Sequence, residues 1–149
     1  MIGRYEVLGS LACGGMAEIF LGRLLGPSGF ARVVVIKRIL PHLAKEKAFV
    51  EMFLDEARTV ARIRHPNVVQ VHELGEQGEL FLVMEYLEGE SVGGLLRRLC
   101  AREERLDPLL AAHIVAEACR GLHAAHELTD DDGFPLDLVH RDISPQNVF

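Results

Sequence analysis

Asp142 and Asn147 stand five positions apart in the stretch His140-Arg141-Asp142-Ile143-Ser144-Pro145-Gln146-Asn147-Val148-Phe149. Transfer of a phosphoryl group needs a carboxylate that orients the attacking hydroxyl and accepts its proton. It also needs a neutral oxygen ligand for a magnesium ion on the phosphates. Asp142 suits the first role and Asn147 the second. Upstream, Lys37 closes the apolar run Val34-Val35-Ile36-Lys37. A lysine at a strand end is ordinarily solvated. This one follows a glycine-bearing hairpin and precedes a helix with a well-placed acid, an order that favours phosphate binding. Glu56 is the candidate partner. Helical spacing sets it on the buried side with Phe53, Ala57 and Val60, where an unpaired carboxylate is costly. Asp55 and Glu51 read as solvated charges. A Lys37–Glu56 pair would hold the ammonium against the α- and β-phosphates of a nucleotide.

These side chains need elements to hold them. Residues 5–11 and 18–25 read as strands, with 12–17 between them and a Gly/Pro turn at 26–29. Residues 32–39 form a third strand, whose β-branched run 33–36 predicts burial on both faces. The apolar positions Phe49, Met52, Phe53, Ala57, Val60 and Ile63 predict a helix over 45–63, stopped by His65-Pro66-Asn67. Strands at 68–74 and 80–84 flank a hairpin signal at 75–79. A break at 88–90 is followed by a short helix over 91–105, whose start is weakened by Gly93-Gly94. Asp107-Pro108 reads as an N-cap and first-turn proline. The helix they open runs to about residue 128, with Ala111, Val115, Ala118, Leu122 and Ala125 on one face. Residues 129–135 are a turn-rich connector.

Composition bounds the function. The chain has 149 residues, 49% hydrophobic and 26% charged, with a formal net charge of −6. That describes one globular domain with no broad electrostatic reason to bind nucleic acid or anionic lipid. Cys13, Cys100 and Cys119 have no metal-ligand spacing and point to a reducing cytoplasm. No apolar run is long enough to span a bilayer. His123 and His126 are three apart on a helix, but no third ligand at useful spacing accompanies them.

The stretch ending in Asn147 reads H-R-D-I-x-x-x-N, and Val34-Val35-Ile36-Lys37 follows the pattern V-A-I-K. With Glu56 and the Leu82-Val83-Met84-Glu85-Tyr86 segment, these motifs make the whole chain resemble the first part of a protein serine/threonine kinase domain of the bacterial eukaryotic-like (Hanks) type. The resemblance implies an α+β, protein-kinase-like fold. A five-stranded antiparallel small lobe with one helix and the hinge would occupy 1–87. The first helices of the large lobe, ending in the catalytic loop, would occupy 88–149. It implies ATP with magnesium, a protein substrate and cytoplasmic signalling. Lys37, Glu56 and Asp142 would be catalytic and Asn147 a magnesium ligand. ATP would meet the loop residues Leu11, Ala12, Cys13, Gly14, Gly15, Met16 and Ala17, together with Lys37. Ile19, Val35 and Phe149 would sandwich adenine, with Met84 as gatekeeper, Glu85 and Leu87 in the hinge and Glu90 at the ribose.

The chain departs from the pattern in places. The glycine loop, G-x-G-x-x-G-x-V in the family, reads Ala12-Cys13-Gly14-Gly15-Met16-Ala17-Glu18-Ile19, so only the central glycine is kept. Ala tolerates positive φ poorly, so a stiffer or differently shaped loop is expected. Val35 stands where Ala is usual. Ser144 stands where the family's serine/threonine kinases carry a lysine on the transferring phosphate, which weakens transition-state stabilisation. The D-F-G aspartate and activation segment lie outside these residues. The 149 residues alone are therefore expected to be inactive, marginally stable and prone to self-association through the apolar face of the last helix. The alternative reading is a catalytically inactive kinase-like module that binds nucleotide or regulates a partner.

Overall fold

The computed structural model describes residues 1–76 and 78–149. Gln77, within the expected 75–79 hairpin, lies outside the described residues. The elements run β1 Tyr5–Cys13, β2 Ala17–Leu25, β3 Ala31–Ile39, α1 Lys47–Arg62, β4 Val71–Glu76, β5 Leu80–Glu85, α2 Val92–Ala101 and α3 Pro108–His126. The chain divides into two compact units. The first comprises Met1–Arg62 and Val69–Tyr86, the second Ile63–Val68 and Leu87–Phe149.

The first unit is a five-stranded sheet of order β1-β2-β3-β5-β4, antiparallel at every pairing. Alternate side chains of a strand point to opposite faces, so the sheet carries two cores. On one face Val34, Ile36, Phe81 and Val83 pack with Ile2 and Tyr5. On the other, Ile39, Leu80 and Leu82 pack with Leu43, Phe53 and Ala57, the last two from α1. The β-branched run of β3 is therefore not buried on both faces, contrary to the expectation from its composition. Val34 and Ile36 are buried, Val35 is half-buried and Val33 is 41% exposed. The run straddles the pleat, with one face closed by core and the other only partly covered.

β1 and β2 are longer than their apolar runs, whereas β4 starts three residues later than expected and ends at Glu76. β1 continues to Cys13 and β2 starts at Ala17, because Ala12 and Cys13 stay in register with Ile19 and Glu18. At the far edge Gly75 lies opposite Phe81, and a Cβ at 75 would overlap the Phe81 ring. The glycine there makes room for the largest fully buried side chain of the unit.

In the second unit, Asp107 caps α3 by accepting from the amides of Leu109 and Leu110 at 2.9 and 3.0 Å, with Pro108 in the first turn. Ala111, Ala118, Leu122 and Ala125 are half-buried, whereas Val115, Leu109 and Leu110 are exposed. His65-Pro66-Asn67 does more than stop α1. Asn67 Nδ2 donates to the Glu117 carbonyl and to its carboxylate, both at 2.7 Å. The Asn67 amide holds the Glu117 carboxyl below its usual pKa range. The Asn67 carbonyl sits where a Cβ on Gly121 would come within 2.7 Å, so the buried glycine of α3 admits this segment. No helix among the described residues is long and apolar enough to cross a membrane.

Candidate active site

The first unit gathers one set of candidate residues on a single face of its sheet. Register places Ile19 opposite Lys37, Lys37 opposite Leu82, and Val35 opposite Met84. Directly paired residues share a face, so Ile19, Val35, Lys37 and Met84 line the same side as Leu82. Lys37 Nζ reaches across to α1 and meets Glu56 Oε1 at 2.5 Å. The ammonium also lies 5.8 Å from the centre of the Phe53 ring. Glu56 is not on the buried side of α1. Its side chain is 49% exposed while Phe53 and Ala57 are buried. It stands at the margin of the apolar stripe, where a carboxylate keeps partial hydration and still reaches the lysine.

The glycine-bearing loop is shorter than its sequence signal. With Ala12 and Cys13 paired to β2 and Ala17 paired to Ile39 of β3, only Gly14, Gly15 and Met16 form the turn. The Gly14 amide donates to the Ala17 carbonyl at 2.9 Å, and the Met16 carbonyl accepts from the Leu40 amide. Neither Gly14 nor Gly15 has positive φ. Alanine at 12 and 17 is thus compatible with the backbone as folded, and the expected conflict with left-handed geometry does not arise. Leu11, Cys13 and Met16 are exposed and Ala17 is buried. At the end of β5, Glu85 is fixed on both sides. Its amide donates to the Gln70 carbonyl at 2.9 Å, and its carboxylate accepts from the Gln70 amide at 2.6 Å.

The second unit holds the other set. Asn147 Nδ2 donates to both the backbone carbonyl and the Oδ2 of Asp142, each at 2.9 Å. The Asp142 amide donates to His140 Nδ1 at 3.3 Å. Between them Arg141 adopts φ 63°, a left-handed conformation that costs a non-glycine residue strain. The five-residue spacing therefore brings the acid and the amide into one hydrogen-bonded pair. Because Asn147 uses its nitrogen on Asp142, its Oδ1 remains a neutral hard donor of the kind Mg²⁺ takes. The residues fit a magnesium ion carried in on nucleotide phosphates. Among the described residues no group of three or more His, Cys, Asp or Glu forms a standing metal cluster.

Glu90 lies against Gly94 of α2, where a Cβ would overlap its carboxylate, and pairs with Arg98 Nε at 2.9 Å. Leu87 and Phe149 are exposed, at 37% and 68%. The three cysteines are free and exposed. Neither the Asn67–Glu117 anchor nor the close packing at Gly93 and Gly94 was legible in the sequence. Both depend on contacts across the fold, and the only local signal was a buried-type residue, glycine, inside a helical pattern.

Comparison with known proteins shows the family. The protein kinase domain family matches residues 5–149. The chain is 52% identical to tyrosine-protein kinase MasK of Myxococcus xanthus, over 99% of this chain and 23% of that protein. It is 35% identical to serine/threonine-protein kinase PksC of Streptomyces coelicolor, over 98% of this chain and 25% of that one. It thus spans about a quarter of the length of these curated relatives. Among solved structures, the PknI kinase domain of Mycobacterium tuberculosis superposes with a TM-score of 0.71 at 28% identity, over 99% of this chain and 54% of that one.

Proposed function

From the membership of this chain in the protein kinase domain family, shown by the match over residues 5–149, we propose that it works in an ATP-dependent protein kinase that phosphorylates serine or threonine. The observation that carries the proposal is the joint presence of two formed pairs, Lys37–Glu56 and Asp142–Asn147. Each orients a group that phosphoryl transfer uses, and neither has another evident purpose.

In this reading Glu56 fixes the Lys37 ammonium so that it grips the α- and β-phosphates. Asp142, steered by the Asn147 amide, aligns the substrate hydroxyl and receives its proton as the phosphoryl group moves. Asn147 Oδ1 ligates magnesium, which when bound neutralises charge developing on the phosphates. Ile19, Val35 and Met84 share a sheet face that would offer adenine an apolar surface, and the family resemblance assigns Phe149 to adenine as well. The same resemblance assigns Gly15 and Met16 to the phosphates, Glu85 and Leu87 to the hinge and Glu90 to the ribose. A cytoplasmic, signalling role and a protein substrate belong to the same proposal.

A second reading concerns the acceptor. The relative at 52% identity is named a tyrosine-protein kinase, and Ser144 supplies no cation at the position where the serine/threonine pattern has lysine. Phosphoamino-acid analysis decides between them. With Mg-ATP and a peptide mixture holding all three hydroxyl types, the full-length protein should yield phosphoserine and phosphothreonine. Phosphotyrosine alone would assign the other acceptor, and no transfer at all would support the inactive module.

A further inference from the structure

The first turn of α2 carries amides that an isolated helix leaves without partners. Here each has one. The Gly94 amide donates to the N-cap hydroxyl of Ser91 at 3.3 Å. The other two leave the helix. The Val92 amide donates to the Val148 carbonyl at 2.8 Å, and the Gly93 amide to the Pro145 carbonyl at 2.6 Å. Those two carbonyls bracket Gln146 and Asn147. The same loop closes on itself through the Asn147 amide and the Ser144 carbonyl at 2.9 Å.

Gly93 is buried against Gln146, both its side-chain Cγ, 3.2 Å from where a Cβ at 93 would stand, and its backbone. A Cβ at 93 would lie 3.2 Å from the Gln146 nitrogen and 3.3 Å from its Cα. Its φ is not positive, so the glycine answers a need for space and not for unusual geometry. Gly93-Gly94, which weakens the helix by propensity, thereby lets the loop seat directly on the helix start.

We propose that the N-terminal turn of α2 is the mount that positions Asn147, with Gly93 and the Val92 amide as positioning groups for the magnesium-ligating side chain. The inference rests on the kinase reading for the role of Asn147, while the mount itself is geometric. Neither residue touches substrate. They fix the backbone on both sides of the ligand, and supports of a metal ligand commonly govern metal affinity.

Two substitutions in the full-length protein test it. Gly93→Ala pushes on the Gln146 backbone while raising helix propensity, so it separates loop position from helix stability. Val92→Pro deletes the hydrogen bond to Val148. Proline is tolerated at this first helical position, and Ser91 already has the extended backbone (φ −65°, ψ 155°) that a following proline demands. Gly89→Ala, with nothing within 4 Å of its Cβ, is the control.

The Mg²⁺ concentration for half-maximal rate should rise about tenfold in both variants, with the KM for protein substrate and the melting temperature near wild type. Mn²⁺ binding to the complex with a non-hydrolysable ATP analogue, read by water proton relaxation, should weaken in parallel. Wild-type metal dependence in both variants overturns the mount. Weakened Mn²⁺ binding without turnover in the parent protein would leave the mount standing and remove the catalytic reading. A parent protein that binds no Mn²⁺-nucleotide removes both.

Discussion

In the proposed function Glu56 positions Lys37, and as a half-exposed partner it adds little to the stability of the fold. Its side chain is 49% exposed and that of Lys37 24%, so solvent screens the pair and its removal should cost only about 0–1 kcal/mol of folding free energy. Its effect is on where the lysine points. Glu56→Gln should lower kcat/KM for ATP by about 10- to 100-fold, since small misplacements of a positioned group cost that much. The melting temperature should hardly move. Steady-state kinetics beside a thermal melt checks this, and unchanged kinetics would contradict it. The Lys37–Glu56 and Asp142–Asn147 contacts were legible in the sequence, because the proposed phosphoryl transfer constrains both residue type and spacing. The half-exposed setting of Glu56 was not legible, because helical periodicity gives a face and not how far the neighbouring sheet extends over it.

At the scale of elements, the sheet was legible from alternation and turns, and its strand ends were not. Ala12 and Cys13 join the sheet by register with β2, and Ala17 by pairing with Ile39 of β3, non-local facts that no local composition encodes. Glycines gave the same lesson. Gly75, read only as part of a hairpin, leaves space for Phe81. Gly121 admits the Asn67 carbonyl, and Gly93 admits the Gln146 backbone. Each is a local propensity defect explained by a contact from elsewhere in the chain. Gly75→Ala should destabilise the first unit by about 1–3 kcal/mol, the usual penalty of overpacking a filled core. Denaturant unfolding measures it, and a stability equal to the parent would show that the Phe81 ring can move aside at little cost.

At the scale of the whole molecule, family membership, the antiparallel sheet and the paired side chains agree, and the departures become specific. The altered glycine loop is a tight three-residue turn with ordinary backbone, so losing two glycines does not by itself argue against nucleotide binding. In the proposed function Ser144 is the departure that would bear on rate and on acceptor choice. The central claim is that Asp142 orients the acceptor hydroxyl. The most direct measurement is single-turnover transfer of the γ-phosphate from Mg-ATP to a protein substrate by the full-length protein and its Asp142→Asn variant. Asparagine keeps the shape and loses the base. The account predicts transfer by the parent and a fall of at least about 100-fold in the variant, the lower range for a positioned general base, with ATP affinity retained. Equal rates in the two proteins would contradict it.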